Sequence, residues 1–185
     1  MARKNEFREV FVQGFSVLVI CVLIELLAGG FMKTMEQSMV AVSGLAIMTL
    51  PLLDLRGNIN GAFASRLGTA LHLGIVPPKL KLTKEIKINL VSSIVLTLMA
   101  SVTIGALSWA TGVILGTEVD ILKIFFISIF AGMLSGVLLA FLTICVAIFS
   151  HVRGLDPDNI TAPLMATIGD FVTVFCIYFA VILVV

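Results

Sequence analysis

The sequence has few charged residues: 12% of its 185 residues are Asp, Glu, Lys or Arg, whereas 59% are hydrophobic. A mean hydropathy of +1.17 is too high for an ordinary soluble domain. The long uncharged runs instead predict transmembrane helices, each of which needs about 20 residues. A transmembrane β-barrel would show alternation over short strands, a pattern that the sequence lacks. The formal net charge of +1 argues against a strong nucleic-acid-binding field, so no nucleic-acid partner is expected.

Cysteine is also scarce. The three cysteines, Cys21, Cys145 and Cys176, all lie within apolar segments. We therefore expect them to be buried free thiols that behave as small hydrophobic side chains. Neither a disulfide framework nor a cysteine-based zinc site is indicated.

Five apolar segments are long enough to cross a bilayer. They cover approximately residues 11–31, 37–55, 88–114, 121–150 and 162–185. The first segment is too long for the core of a signal peptide, so it is interpreted as a span. The sequence thus predicts an all-α integral membrane protein with five transmembrane helices, forming a single domain over residues 1–185.

Most basic residues fall on one side of this layout. They are Arg3, Lys4 and Arg8 before the first span, Arg66, Lys79, Lys81, Lys84 and Lys87 between the second and third, and Arg153 between the fourth and fifth. The positive-inside rule places this side, with the amino terminus, in the cytoplasm. We expect a multi-pass protein of the cell membrane. His72 and His151 lie near the cytoplasmic boundary and are interpreted as interfacial polar residues rather than zinc ligands.

Two spans carry small residues at intervals of four. The third span has Ser93, Thr97, Ser101 and Gly105, and the fourth has Ser128, Gly132, Gly136 and Ala140. Stripes of this kind allow helices to approach closely, so helix packing is the favoured interpretation and pore lining a secondary one.

Asp170 lies about midway along the last apolar segment, with no neighbouring Lys or Arg. A carboxylate at bilayer depth is energetically costly and usually functional, most often on an ion pathway. Thr167 and Thr173 share its face at helical spacing. A face of hydroxyl and carboxylate oxygens suits a hard divalent cation such as Mg²⁺, whereas softer metals would require clusters of Cys or His.

A second polar segment, LPLLDLRGNINGAFASRLGTALHLG, lies at the cytoplasmic end of the second span. Its proline and glycines, Pro51, Gly57 and Gly61, are expected to loosen the backbone. Oxygen donors near the same depth are Asp54, Asn58 and Asn60. Asp54 either forms a structural pair with the nearby Arg56 or lines the inner mouth of a pathway, and the pair is slightly favoured.

Three further residues complete the set of candidates. Glu25, within the first span, is either an outer relay site or a protonated helix-packing residue. Asp156 or Asp158 is expected to cap the last helix, in which Pro163 lies early.

Because one carboxylate is little for a divalent ion, a two-fold homodimer that brings two copies of Asp170 together is predicted.

The two polar segments resemble the membrane domain of MgtE-type magnesium transporters, and more closely its solute carrier family 41 branch. The resemblance rests on GNINGAFASRLGTALH, residues 57–72, and DPDNITAPLMATIGD, residues 156–170. With the five-span layout, it covers essentially the whole chain. It implies a homodimer whose cation pathway lies at the subunit interface, lined mainly by the second and fifth spans. It also implies that Asp170 is the central cation-binding carboxylate and that Asn58 matches the asparagine of the family.

The same resemblance implies that Mg²⁺ is bound with most of its hydration shell in place. From the residues alone, Mn²⁺ or other divalent cations stay open as alternatives, and exchange with Na⁺ as counter-ion stays open as a variant of the mechanism. MgtE proteins usually add cytoplasmic amino-terminal and CBS domains that this sequence lacks. Solute carrier members have two such membrane domains in one chain, which favours self-association here.

Two other functions stay open at this stage. The string DLRGNINGAFASR loosely resembles part of the membrane CDP-alcohol phosphotransferases, but no aspartate follows Arg66 before Asp120. The chain could also be a non-transporting membrane anchor. We predict a divalent cation transporter or channel in the lipid bilayer, and not an enzyme.

Overall fold

The computed structural model describes residues 2–154 and 157–184, with side chains for all of these except residues 2–10, 13, 38 and 157–160. This part of the chain forms six α-helices joined by short connections. They are α1 (Ala2–Thr34), α2 (Glu36–Ala41), α3 (Leu45–His72), α4 (Lys84–Ile114), α5 (Ile121–Val152) and α6 (Pro157–Ile182). The predicted all-α class is confirmed.

Within the described residues, four helical segments are long and apolar enough to cross a membrane. They are Gly14–Thr34, Lys84–Ile114, Ile121–Val152 and Thr161–Ile182. They correspond to the first, third, fourth and fifth predicted spans, so the chain is a multi-pass membrane protein.

The second predicted span differs from the structure. The sequence predicts this span at residues 37–55. In the structure, Glu36–Ala41 forms the separate short helix α2, and the long helix α3 begins only at Leu45. At 28 residues, α3 is about 42 Å long. Its middle carries Asp54, Arg56, Asn58 and Asn60 close together in sequence, which is why composition alone does not mark it as a span.

The expectation of a loosened backbone after Pro51 is wrong, because α3 continues through Pro51, Gly57 and Gly61 without a break. Its polar side chains hydrogen-bond within the helix, as when Asn60 Nδ2 donates to the Arg56 carbonyl at 2.9 Å. Helix α6 likewise continues through Pro163. The predicted cap of α6 at Asp156 or Asp158 falls outside the described residues and side chains.

Side chains define where two of the helices begin. Thr83 caps α4 by accepting a hydrogen bond from the Ile86 amide at 3.3 Å. Asp120 caps α5 by accepting from the amides of Leu122 at 2.9 Å and Lys123 at 3.3 Å. Both caps satisfy amide groups that have no partner within the first turn of a helix.

Helix α6 lies at the centre of the fold and packs against α1, α3 and α5. Helix α1 packs mainly on α6, where the Phe31 ring lies 5.9 Å from that of Phe175 and 5.5 Å from that of Tyr178. Most of the large apolar side chains of α1 are exposed in the single chain. One face of α1 is therefore available to lipid or to another protein.

The buried apolar residues form two clusters at opposite ends of α3. The first joins Met35, Leu45, Met48, Ile124 and Ile177, among others. The second joins Phe63, Leu67, Leu71, Ile86 and Ile148, among others. The carboxyl end of α3, the amino end of α4 and the carboxyl end of α5 therefore meet at one end of the bundle. This arrangement agrees with the predicted side of the basic residues.

The small-residue stripes of α4 and α5 are buried along their whole length. Ser128 Oγ of α5 donates to the Ser101 carbonyl of α4 at 2.6 Å, so the two stripes are in direct contact. Their predicted packing role is confirmed. The cysteines are free thiols, of which Cys21 and Cys176 are buried and Cys145 is half-buried.

Replacing Gly132 by Ala should destabilise the bundle. A Cβ atom on Gly132 would overlap Ser101 Oγ and lie 3.0 Å from Ser101 Cβ. Overpacking of this kind lowers the free energy of unfolding by about 1–3 kcal/mol. Thermal unfolding in detergent measures the change. The matched control is Gly29→Ala in α1, where a new Cβ meets no atom within 4 Å, and unchanged stability of Gly132→Ala would contradict the close approach.

Candidate functional site

Asp170 lies in the middle of α6 and is half-buried. The two threonines predicted to share its face are more deeply placed: Thr167 is 6% exposed and Thr173 is fully buried. Within the described part of the chain, the Thr173 hydroxyl has no hydrogen-bond partner. Asp170 is thus the member of this face that reaches the edge of the packed bundle.

Carboxyl groups of two other helices lie near Asp170. The Asp170 carboxyl lies within hydrogen-bonding range of the Glu25 carboxyl of α1, and the Asp54 carboxylate of α3 is near enough to act on it electrostatically. Two carboxyl groups tolerate such proximity when they share a proton or a cation, because like charges repel. The structure therefore places Glu25 within reach of Asp170, with Asp54 acting on Asp170 only through its charge.

Asp54 and Asn58 form a local pair on the exposed surface of α3. Asn58 Nδ2 donates to Asp54 Oδ2 at 3.1 Å across one helical turn. Both side chains are exposed in the single chain. Asn60, by contrast, is 1% exposed and directed into the bundle, so it takes no part in this surface.

The exposed pair belongs to a longer polar surface. We define the polar stripe of α3 as Asp54, Asn58, Gly61 and Ser65, which follow one another at helical spacing. Asp54, Asn58 and Ser65 are exposed and Gly61 is half-buried. A charged group at bilayer depth does not face lipid, but faces the protein interior or a water-filled cavity. At bilayer depth, such a stripe would need water or a second protein surface against it.

The acidic residues do not form a closed metal cage. Over the described residues, no group of three or more His, Cys, Asp or Glu side chains converges closely enough to hold a metal ion. One copy of the chain offers carboxylates singly or in a pair. A site with so few oxygen ligands suits an ion that keeps much of its own hydration shell.

The interpretation of Asp54 and Arg56 as a local pair is wrong. Two residues apart on a helix, they lie ~200° apart around its axis, and Arg56 is fully buried on the opposite side from Asp54. Arg56 Nη1 donates to Thr97 Oγ1 at 3.1 Å, and Nη2 donates to Ser101 Oγ at 3.3 Å. Both acceptors belong to the small-residue stripe of α4.

Space for the Arg56 guanidinium comes from the glycines of α5. A Cβ on Gly136 would lie 2.6 Å from Nη1, and one on Gly132 would lie 3.1 Å from Nη2. The stripes therefore enclose a buried cation as well as packing together, a role that the sequence analysis missed. The two-residue spacing of Asp54 and Arg56 is the signal that could have revealed this role, because it places them on opposite sides of the helix and so directs one of the two side chains into the bundle.

Comparison with known proteins shows the family. The MgtE family model, described as a divalent cation transporter, matches residues 49–181. The chain belongs to the MgtE family. The matched residues include Asp54, Asn58 and Asp170, whereas Glu25 lies outside them. The resemblance inferred from the two polar motifs is thus confirmed.

Curated relatives of this MgtE-family chain are members of solute carrier family 41. It is 32% identical over 139 residues to solute carrier family 41 member 3 of Mus musculus, a match that covers 71% of this chain and 28% of the relative. The Rattus norvegicus protein of the same name is 32% identical over 155 residues, covering 79% and 33%. Member 2 of Gallus gallus is 27% identical over 177 residues, covering 85% and 30%. The matches span about a third of each relative.

Substitutions of Arg56 should separate its charge from its volume. Within the described residues no carboxylate contacts the guanidinium, and its Nε atom has no hydrogen-bond partner. A well-packed apolar side chain often replaces a buried charge without loss of stability. Arg56→Met should therefore unfold within about 1 kcal/mol of the parent protein, whereas Arg56→Ala should lose about 2–5 kcal/mol through the cavity it leaves.

Equilibrium or thermal unfolding of the purified protein measures both variants. Equal, large losses for Arg56→Met and Arg56→Ala would show that the charge itself stabilises the fold, contrary to this expectation.

Proposed function

We propose that the protein is a transporter or channel for a divalent cation, most suitably Mg²⁺. The carrying observation is the approach of Asp170 to Glu25 and Asp54 beside the polar stripe of α3. Membership of the MgtE divalent cation transporter family supports the proposal. Among the described residues, no structural feature favours the alternative of a CDP-alcohol phosphotransferase.

In this proposal α3 is the fifth membrane-spanning helix. Its length of about 42 Å exceeds the ~30 Å of the bilayer core. Its two ends lie in the two separate apolar clusters of the bundle. Since polar helices enter a membrane only where they face protein or water, α3 would cross it with the polar stripe along a wet pathway.

A homodimer gives the polar stripe a partner surface. In one copy, Asp54 and Asn58 are exposed beside apolar residues such as Leu50, which is 70% exposed. Two-fold association through this surface would remove the stripe from lipid and face it with its own copy. The pathway would then lie between the subunits, with two copies of Asp170 contributing charge to the ion.

The oxygen ligands favour Mg²⁺ over softer metals. Mg²⁺ usually keeps several waters and is bound through one or two carboxylates. Asp170 would be the central ligand, Asn58 and Asp54 would meet the hydrated ion from α3, and Glu25 would act as a neighbouring relay. Thr167 and Thr173 would add hydroxyl groups to the face of α6 that carries Asp170. Mn²⁺ has similar ligand preferences and would be accepted as well.

The driving force need not come from another ion. A potential of about 100 mV is worth ~2.3 kcal/mol per elementary charge, and hence roughly twice that for a divalent cation. Exchange against Na⁺ is a variant of the same proposal. An imposed Na⁺ gradient that changes Mg²⁺ flux in liposomes, at fixed potential, distinguishes the exchanger from the uniporter.

Asp170→Asn should abolish Mg²⁺ flux into liposomes, because the amide keeps the shape but removes the charge that binds the ion. Flux is followed with a Mg²⁺-sensitive dye, and size-exclusion chromatography shows whether the variant is folded. Glu118→Gln is the matched control, since Glu118 is exposed in the connection before α5. Flux of a folded Asp170→Asn variant at the parent rate would reject Asp170 as the central site.

A cysteine at Ser65 should cross-link two copies of the chain. The substitution is made in a protein whose Cys21, Cys145 and Cys176 are replaced by Ala. Ser65→Cys then places one thiol on the polar stripe of each subunit, where the two stripes face each other in the proposed dimer. Mild oxidation should give a covalent dimer on a non-reducing gel. The control is Val95→Cys on α4, where the side chain is 48% exposed away from the stripe. Equal cross-linking of both variants would contradict the proposed interface.

A further inference from the structure

The two histidines of the chain meet at the end of the bundle where α3 and α5 terminate. The His72 and His151 rings lie 5.4 Å apart between centroids, with an interplanar angle of 86°. They are 79 positions apart in sequence, so only the packing of α3 against α5 brings them together. His72 is exposed and His151 half-buried, which leaves the pair accessible from solvent.

The hydrogen bond of His72 determines which of its nitrogens is free. His72 Nδ1 lies 3.1 Å from the Gly68 carbonyl oxygen. Because a carbonyl only accepts, Nδ1 carries the proton of the neutral ring, which leaves the Nε2 lone pair available. A histidine whose one nitrogen donates to a backbone carbonyl is held in the orientation and tautomer that metal ligation requires.

Within the part of the chain that the structure describes, His151 makes no hydrogen bond and contacts the His72 ring. The neighbouring cation Arg153 is directed elsewhere, since its guanidinium carbon lies 4.6 Å from the centre of the Phe149 ring. Side chains at positions 149 and 151 lie ~200° apart around α5. Arg153 is therefore held on the side of the helix away from the imidazole pair.

The contact between the two rings departs from the interpretation of isolated interfacial residues that the sequence favoured. We propose that His72 and His151 form a binding site for a borderline-soft divalent cation of the Zn²⁺ class, distinct from the acidic site of Asp170. Neutral imidazole nitrogens suit Zn²⁺, whereas Mg²⁺ prefers oxygen. Two histidines supply half of a tetrahedral Zn²⁺ shell, and water completes it. The bound ion would tie the end of α3 to the end of α5.

The test is Zn²⁺ binding to the purified full-length chain, measured by isothermal titration calorimetry. The parent protein should bind Zn²⁺, and His72→Gln and His151→Gln should each weaken binding by roughly tenfold or more. Asp170→Asn should bind Zn²⁺ like the parent, which separates this site from the proposed pathway. A tenfold excess of Mg²⁺ should not displace the Zn²⁺.

A second measurement does not depend on the variants. Hydrogen exchange of backbone amides near the ends of α3 and α5 should slow when Zn²⁺ is added, with little change at the other end of the bundle. Absence of Zn²⁺ binding by the parent protein would overturn the proposal. So would unchanged affinity in the double variant His72→Gln/His151→Gln, or loss of binding in Asp170→Asn.

Discussion

The burial of one guanidinium constrains the packing of three helices. Arg56 of α3 is fully buried and donates to Thr97 and Ser101 of α4. The glycines of α5 leave room for it, since a Cβ on Gly136 would lie 2.6 Å from Nη1. An unsatisfied charge inside the bundle would be strongly destabilising, so α4 and α5 must present hydroxyls and small residues at this depth.

This constraint also orients the opposite face of α3. With Arg56 directed inward, the helical period directs Asp54 and Asn58 outward. The same helix therefore carries a buried cation on one side and an exposed polar stripe on the other. In our proposal the outward side meets the transported cation, while the positive charge of Arg56 is kept behind the helix and away from the ion.

Helix α3 further links the two proposed ion sites. The polar stripe begins at Asp54, and the helix ends at His72 beside His151. The acidic region offers oxygen to a hard cation and the helix end offers nitrogen to a softer one, so the chemistry of their ligands separates them. If α3 lines the pathway as proposed, a metal at His72 would restrain one end of that helix.

Sequence patterns were sufficient for the fold class, for four of the long apolar helices and for the packing of the small-residue stripes. These features are predicted from local patterns, because hydropathy and the spacing of small residues every four positions depend only on residues within one helix. The bounds of α3 were missed because its polar residues resemble a loop when their partners are unknown. The partner of Arg56 was missed for the same reason, since Thr97 and Ser101 are more than 40 positions away.

Hydropathy and the order of charges along the chain are enough to predict an all-helical membrane protein with acidic residues within its long helices, because both are local properties. Helix packing adds that Glu25 and Asp54 lie near Asp170, that Arg56 points away from Asp54, and that the two histidines meet. Each of these depends on which helix packs against which, a choice made by contacts between residues far apart in the chain.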